Sequence, residues 1–236
     1  MTFVLGVIPA RGGSRRIPLK NLKRLAGKPL IAHTILAAKK SQMLDRVVVS
    51  TEDSRIKRAS TQYGAEVPFL RPRNLCRAST PMLPVIRHAV GSVERDWGHS
   101  VDIVTILQPT SPFRTSAHID AAIRSLMRTR ADTVVSVCEA EYHPWWTVRL
   151  DHGRLVPFLS YRKLNTERHR LPKVYRETGG ICVTRRDVLM GLNRIRGPDT
   201  RAIVLNRISS LDIDDQNDLL IAECIAKRVR HLRPYG

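Results

Sequence analysis

The sequence predicts an α/β fold: a three-layer, mostly parallel sheet with one inserted arm. Short β-branched runs alternate with amphipathic stretches along most of the 236 residues. A repeated strand–helix–strand order is typical of a parallel sheet with helices on both faces. The alternation stops at 141–177, where adjacent tryptophans, prolines and many basic residues follow no regular period. With 42% hydrophobic residues, a chain of this length can bury one sizeable core.

Local residue patterns predict the individual strands and helices along the chain. Apolar or alternating runs predict strands at 3–8, 46–50, 67–70, 103–107, 133–137, 180–184 and 203–205. Helical spacing predicts helices from about Pro29, after Asp53, and at 83–93, 117–127 and 216–229. Pro29 suits the first turn of a helix. The side chain of Asp53 can cap the helix that buries Ile56.

The charge of the chain indicates an anionic partner. Lys and Arg number 40 against 21 Asp and Glu, for a formal net charge of +19. Such a surplus attracts nucleic acid, an anionic membrane or polyphosphate substrates. The basic residues are spread over the whole chain and aromatics make up only 5%, which disfavours a stacking platform for single strands. No apolar run approaches the roughly 20 residues that span a bilayer. We therefore expect neither a specific nucleic acid nor a membrane as partner.

The cysteines and the first residues predict a cytoplasmic location. Cys76, Cys138, Cys182 and Cys224 are far apart and form no CxxC pair, which favours free thiols in a reducing compartment over a disulfide framework or a zinc site. The first apolar run precedes the first positive charges, the reverse of the order in a signal peptide.

The loop after the first strand is the strongest candidate for a phosphate site. It reads ARGGSRRIPLKN over residues 10–21. Successive glycines, here Gly12 and Gly13, let backbone N–H groups form a concave anion site. Cations that can neutralise a polyphosphate surround them: Arg11, Arg15, Arg16 and Lys20. An ordinary basic turn is the alternative. The chain has neither the P-loop motif GxxxxGK[ST] nor the dinucleotide-binding motif GxGxxG, which disfavours a kinase and a dehydrogenase.

The predicted sheet places this loop next to two others. Ligands of parallel sheets bind beyond the carboxyl ends of the strands. The loops after Ile8, Leu107 and Val137 are therefore expected around one crevice.

Paired aspartates near the end of the chain form a candidate metal site. Asp212 and Asp214 are one residue apart in an extended-looking stretch, so period-two geometry puts both carboxylates on one face, as a divalent ion requires. Asp215 and Asp218 suit the cap and first turn of the last helix. Spacing alone leaves open that all four only begin that helix.

Four segments together resemble the acylneuraminate cytidylyltransferase family, whose members make CMP-sialic acid and related CMP-nonulosonates. They are the loop 10–21, LQPTSPFRT (107–115), RETGGICV (176–183) and LDIDDQNDL (211–219). The resemblance implies a Rossmann-like nucleotidyltransferase domain formed by 1–140 plus 178–236. It also implies that 141–177 is an inserted dimerisation and sugar-binding subdomain, so that the chain forms a homodimer.

The resemblance also assigns the site residues. It implies CTP binding by Arg11, Gly12, Gly13, Ser14, Arg15, Lys20, Asn21 and Arg71. It implies catalytic roles for Arg11, Arg15, Lys20 and Asp214. It implies that the sugar is bound by Gln108, Arg168 and Arg176. It implies Mg²⁺ (or Mn²⁺) on Asp212 and Asp214.

The implied reaction joins CMP from CTP to a nonulosonic acid and releases pyrophosphate. N-acylneuraminate is the first candidate acceptor, and legionaminic and pseudaminic acids are the alternatives. The family commonly has Asn and Tyr where this chain has Thr178 and Cys182. Further alternatives are a CMP-KDO synthetase, a sugar-1-phosphate nucleotidyltransferase, a member that binds nucleotide without turnover, and a basic nucleic-acid-binding protein.

Overall fold

A computed structural model describes residues 2–231 of the chain; the first residue and the last five residues of the predicted 178–236 segment lie outside them. The strands are β1 (Val4–Pro9), β2 (Arg24–Leu25), β3 (Lys28–Pro29), β4 (Arg46–Ser50), β5 (Ile103–Leu107), β6 (Thr133–Glu139), β7 (Val148–Asp151), β8 (Arg154–Pro157), β9 (Tyr175–Arg185) and β10 (Thr200–Val204). The helices are α1 (Leu30–Lys39), α2 (Ser54–Gln62), α3 (Met82–Trp97), α4 (Ser116–Thr129), α5 (Tyr161–Leu164) and α6 (Gln216–His231).

A six-stranded sheet in the order β10-β6-β9-β5-β1-β4 forms the centre of the molecule. β1 runs parallel to β4 and β5, and β10 runs parallel to β6. β9 is antiparallel to both of its neighbours. The prediction of a mostly parallel sheet is thus confirmed. The reversal of β9 follows from its connection, because the chain returns from the end of β6 through the arm without crossing the sheet, and such a return gives antiparallel pairing.

Helices cover both faces of this sheet, which confirms the three layers. Alternate residues of a strand point to opposite faces. Val4 and Ile8 of β1 accordingly lie in one buried cluster together with residues of α1 and α4. Leu5 and Val7 lie in a second cluster together with residues of α3.

The predicted strand at 67–70 is wrong. Only Glu66 pairs with β4, through an isolated bridge to Val48. Pro68 has no N–H to donate, so the ladder cannot continue past it. Leu70 is 55% exposed, and the segment runs as a loop towards Arg71.

Helix starts agree with the local signals. α1 begins directly after Pro29. Oδ1 of Asp53 accepts hydrogen bonds from the N–H groups of Arg55 and Ile56 at 2.8 and 3.3 Å, so Asp53 caps α2 as predicted. All four cysteines are free thiols. None of the helices within residues 2–231 has the length and apolar character needed to cross a membrane.

The segment between β6 and β9 forms the arm. β7 and β8 pair only with each other, as a separate two-stranded sheet. β6 and β9 remain paired as far as Glu139 opposite Tyr175, so the arm continues from an extension of the central sheet. The sequence predicted that the alternation of strands and helices resumes at residue 180. Strand β9 begins earlier, at Tyr175.

Candidate active site

The loop after β1 needs glycine at position 12 because of a close approach. A Cβ atom there would lie 2.6 Å from Oδ2 of Asp53. The N–H of Gly12 donates to Oε1 of Glu52 at 2.7 Å, so this N–H is directed at a carboxylate and not into a concave anion site. At Gly13 a Cβ atom would meet nothing within 4 Å. The two glycines thus have different structural roles, which the sequence did not predict.

The end of the same loop is anchored to the C-terminal part of the chain. Ile17 is buried with Leu25, Ile213 and Ala222 in a third apolar cluster. The buried amide of Asn21 donates from Nδ2 to the carbonyl oxygen of Arg11 at 3.0 Å. These contacts hold the loop against the segment that carries the aspartates.

Lys20 joins the basic loop to the paired aspartates. Its Nζ donates to the carbonyl oxygen of Ile213 at 2.7 Å and lies 3.2 Å from Oδ1 of Asp214. Ile213 is buried whereas Asp214 is exposed, as an extended segment with alternating sides requires.

A cleft of about 200 Å³ lies between the basic loop, the turn after β5 and Asp214; we call it the nucleotide cleft. Predicted site residues that line it are Arg11, Ser14, Lys20, Asn21, Arg71, Gln108 and Asp214. The loops after β1 and β5 therefore border one crevice, as predicted. The prediction that the loop after residue 137 borders it too is wrong, because β6 continues to Glu139 and passes into the arm.

Several other predicted residues do not line this cleft: Gly12, Gly13, Arg15, Asp212, Arg168 and Arg176. Arg15 is exposed in the basic loop. Arg168, in a short 3-10 turn of the arm, and Arg176, near the start of β9, are also exposed. Within one chain, the structure does not bring these two arginines to the nucleotide cleft.

Arg71 places a buried guanidinium at the edge of the cleft. It is 5% exposed, and burial lowers its pKa, an effect that the charge of Glu52 opposes. Its Nε donates to Oγ of Ser50 at 3.1 Å, and its Nη2 donates to the carbonyl oxygen of Ser50. Since a guanidinium carries five N–H groups, donors remain for a ligand in the cleft.

Asp212 does not line the cleft and has an unpartnered oxygen. Its Oδ1 is buried and accepts no hydrogen bond. Burial raises the pKa of this carboxyl group, and the nearby charge of Asp214 acts in the same direction, against a hydrogen bond from Thr110. Such an oxygen is available to a cation. Among residues 2–231, no group of three or more His, Cys, Asp or Glu side chains could hold a metal ion by itself.

Arg114 is a buried residue of this region to which the sequence assigned no role. It is 3% exposed. Nη1 donates to the carbonyl oxygens of Gly180 and Gln108, and Nη2 donates to Oγ1 of Thr34 at 2.7 Å. Burial lowers its pKa to about 9, with the charge of Asp212 acting in the opposite sense, so the group stays protonated at pH 7. Arg114 thereby connects α1, the turn after β5 and strand β9.

The position of Gln108 depends on a glycine of β9. Gly179 has a φ of +67°, and a Cβ atom there would lie 3.2 Å from Nε2 of Gln108. A side chain at position 179 would therefore be strained and would press on this amide. The positive φ favours glycine here, and the missing Cβ leaves room for the Gln108 amide.

The sequence did not predict several further side chains that line the cleft. Leu75, Met82 and Val85 line it, and so do Arg77 and Thr80. Val85 is a core residue of α3, so its periodicity predicts burial but does not distinguish core from cleft. Only the packing of distant segments shows that Val85 lies at the cleft.

Asp215 and Asp218 cap α6, as predicted. Oδ1 of Asp215 accepts from the N–H groups of Asn217 and Asp218 at 2.9 and 3.0 Å. Oδ2 of Asp218 accepts from the N–H group of Asp215 at 3.0 Å, which completes a reciprocal cap. These two carboxylates are thus occupied, whereas Asp212 and Asp214 are not used for capping.

Comparisons with known proteins agree with this geometry. The family model described as "Cytidylyltransferase" matches residues 5–154. A CMP-N,N'-diacetyllegionaminic acid synthase of Legionella pneumophila is 35% identical, over 93% of this chain and 94% of that protein. An N-acylneuraminate cytidylyltransferase of Escherichia coli is 34% identical, over 96% of this chain and 53% of that protein.

The fold also matches solved structures. A CMP:2-keto-3-deoxy-manno-octonic acid synthetase complexed with CTP superimposes with a TM-score of 0.73 at 18% identity, covering 97% of this chain and 100% of that chain. At this identity the likeness concerns the fold alone. The family match and the relatives above carry the assignment: the chain belongs to the cytidylyltransferase family, and it is a CTP-dependent nucleotidyltransferase.

Proposed function

We propose that the chain joins CMP from CTP to a nonulosonic acid of the sialic type and releases pyrophosphate. The observation that carries the proposal is the nucleotide cleft, in which Arg11, Lys20, Gln108 and Asp214 surround one space. The relatives named for legionaminic and neuraminic acids support this acceptor class.

The basic side chains of the cleft suit a triphosphate. Arg11 and Lys20 carry the positive charge that β- and γ-phosphates need, and Ser14 adds a hydroxyl donor. Arg71 contributes further N–H groups. Leu75, Met82 and Val85 form an apolar wall that suits a nucleobase. We assign the predicted CTP-binding residues Gly12, Gly13 and Arg15 to a supporting role, since they do not line the cleft.

The proposed reaction is a nucleophilic displacement of pyrophosphate at the α-phosphorus of CTP. The anomeric hydroxyl oxygen of the keto acid forms a bond to the α-phosphorus, and the bond from phosphorus to the bridging oxygen of the β-phosphate breaks. Pyrophosphate leaves with the electron pair, and the hydroxyl proton passes to solvent. Arg11 and Lys20 stabilise the charge on the departing pyrophosphate, a type of electrostatic stabilisation that contributes strongly to catalysis. Gln108 orients the acceptor by donating to and accepting from its hydroxyl groups.

The residues present also suit a divalent cation. Asp212 supplies a buried oxygen without a hydrogen-bond partner, and Asp214 lines the cleft. Mg²⁺ takes one or two carboxylates and completes its shell with water and phosphate oxygens, so two aspartates suffice. We propose that Asp212 and Asp214 hold Mg²⁺ or Mn²⁺, which supplies Lewis-acid polarisation of the phosphate when bound.

The arm suits an interface with a second copy of the chain. It exposes apolar side chains in its hairpin and around α5: Val148, Leu150, Leu155, Phe158 and Tyr161. Val148, Leu150 and Leu155 lie on one face of the hairpin, and exposed apolar surface of this kind marks interaction sites. We propose a homodimer in which the exposed Arg168 and Arg176 reach the partner's sugar site. We also place the protein in the cytoplasm, because four free thiols suit a reducing compartment.

Pyrophosphate release tests the proposal. The protein is incubated with CTP, Mg²⁺ and, separately, N-acetylneuraminate, N,N'-diacetyllegionaminate or pseudaminate. We expect turnover with at least one of these acids, and loss of roughly 10²-fold or more in Asp214→Asn. Asp199→Asn, which removes an exposed carboxylate paired with Arg201, is the matched control. Absence of turnover with all three acids, or normal turnover in Asp214→Asn, contradicts the proposal.

A further inference from the structure

The peptide group between Arg11 and Gly12 is held from both of its edges. Its carbonyl oxygen accepts from Nδ2 of Asn21 at 3.0 Å, and its N–H donates to Oε1 of Glu52 at 2.7 Å. None of the peptide bonds within residues 2–231 is cis, and a trans peptide group is planar with its C=O and N–H pointing in opposite directions. The two contacts therefore fix the orientation of this plane; we call them the peptide clamp.

The peptide clamp matters because the residues that follow it are flexible. Gly12 and Gly13 lack a Cβ atom, so their backbone can adopt a wide range of conformations. Arg11 is one of the cations that line the nucleotide cleft, and its Nη1 donates to the carbonyl oxygen of Gly13. The place of this guanidinium thus depends on the backbone at 11–13, which the peptide clamp restrains.

The pairing of distant strands brings Glu52 to this peptide group. β1 and β4 run parallel with Pro9 opposite Ser50, and the N–H of Ala10 donates to the carbonyl oxygen of Ser50 at 2.9 Å. The chain therefore leaves both strands at the same edge of the sheet. Glu52 itself does not line the nucleotide cleft, so it can affect a ligand there only through the residues that it contacts.

The charge of Glu52 also reaches Arg71, a second arginine of the cleft. Burial lowers the pKa of Arg71 and the charge of Arg11 acts in the same direction, whereas the charge of Glu52 raises this pKa. Within the described chain, Oε2 of Glu52 is buried and has no N–H or O–H donor as partner. The carboxylate therefore offsets part of the repulsion between the two arginines that line the cleft.

We propose that Glu52 is a positioning residue for the triphosphate: through the peptide clamp it holds Arg11 in place for the β- and γ-phosphates before CTP binds. A site whose donors are already in place loses less entropy when the ligand binds. Loss of the peptide clamp should therefore weaken the contacts to these two phosphates most. The inference rests on the proposed function, since that function places the phosphates at the basic loop.

Calorimetric titration of CTP and, separately, of CMP tests the proposal. The full chain is titrated with Mg²⁺ and without an acceptor acid, so that no transfer occurs. In Glu52→Ala, which removes the acceptor of the Gly12 N–H, we expect the Kd of CTP to rise about tenfold and that of CMP by less than about twofold, because CMP lacks the phosphates that Arg11 would bind. An equal factor for both nucleotides overturns the proposal. An unchanged Kd of CTP also overturns it, and so does a lower one, which would mean that the carboxylate only repels phosphate.

Two conservative variants remain informative if Glu52→Ala fails to fold. Glu52→Gln keeps an oxygen acceptor at the same reach and should bind CTP with nearly the native Kd. Glu52→Asp keeps the charge but is shorter by one methylene group, and it should bind CTP as weakly as Glu52→Ala. The reverse pattern, a native Kd in Glu52→Asp and a raised one in Glu52→Gln, overturns the peptide clamp and assigns the effect to charge.

Glu66→Ala is the matched control. Oε1 of Glu66 accepts from Nε of Arg46 at 2.9 Å, and Glu66 does not line the nucleotide cleft. The substitution thus removes the same side chain and a charged contact at β4. We expect a lower melting temperature with an unchanged Kd of CTP. A rise in Kd equal to that of Glu52→Ala would show that lost stability alone weakens binding, and it would overturn the proposal.

Turnover of the native chain separates this inference from the proposed function. Pyrophosphate release by the native chain, together with native binding of CTP by Glu52→Ala, rejects the role of Glu52 and retains the cytidylyltransferase reaction. A selective loss of CTP binding in Glu52→Ala, without turnover of any of the three acids by the native chain, supports the peptide clamp and rejects the proposed acceptor class.

Discussion

Nζ of Lys20 lies 3.2 Å from Oδ1 of Asp214, although 194 positions of the chain separate the two residues. The contact brings the cation of the first loop to the carboxylate that precedes the last helix. The carboxylate of Asp214 also offsets part of the positive charge of the loop, because the loop carries several cations. Lys20 thus links the basic loop to the segment for which we propose a metal site.

Lys20→Met should reduce kcat/KM for CTP by about 10²-fold, because it removes a cation of the cleft that the proposed reaction uses to stabilise the departing pyrophosphate. Steady-state pyrophosphate release measures the change. Lys23→Met removes the same charge from an exposed position outside the cleft and is the control. Similar kinetics for the two variants would show that Lys20 contributes only to the overall positive field.

Arg114→Met should destabilise the protein by about 3 kcal/mol. The substitution leaves the carbonyl oxygens of Gly180 and Gln108 without their charged donor in a buried place. Urea unfolding measures this loss. Because Arg114 positions Gln108, the KM for the acid should rise more than the KM for CTP. Arg124→Met, on the exposed side of α4, is the matched control. An equal rise of both KM values would indicate a structural role without positioning.

Gly12→Ala should lower stability by about 1–3 kcal/mol, since a Cβ atom would lie 2.6 Å from Oδ2 of Asp53 and the two must move apart. Gly13→Ala places the same methyl group where nothing lies within 4 Å, so it should not destabilise through a clash. Thermal unfolding of both variants measures the difference. Equal melting temperatures would contradict the close approach at position 12.

Glu94 should contribute stability that depends on pH. Burial raises the pKa of its carboxyl group, but hydrogen bonds from Arg186 and from the N–H of Val101 outweigh burial and hold this pKa below its ordinary value. A lowered pKa in the folded state means that the stabilisation is complete above the ordinary value and is lost as the pH falls through the folded value. Glu94→Gln should therefore be less stable than the native chain by about 1 kcal/mol at pH 7.

Urea unfolding at pH 7 and at pH 3 checks this expectation. The difference between Glu94→Gln and the native chain should shrink at the lower pH, because the native carboxylate is then being protonated as well. A difference that is constant over this range would show that the charge of Glu94 does not contribute.

The sequence alone determined the features that depend on neighbouring residues. Strands 46–50 and 103–107, the cap at Asp53 and the reciprocal cap of Asp215 and Asp218 follow from local apolar runs and from side chains that reach their own backbone. The family resemblance also singled out Arg11, Lys20, Gln108 and Asp214, and these four side chains line the nucleotide cleft.

The tertiary structure decided what depends on pairing across the chain. It set the reversed direction of β9, the close approach of Asp53 to Gly12, the burial of Arg114 and the contact of Glu52 with the N–H of Gly12. Each of these features joins residues that are distant in sequence. Strand register and burial arise from long-range packing of the whole core, and no local pattern encodes them.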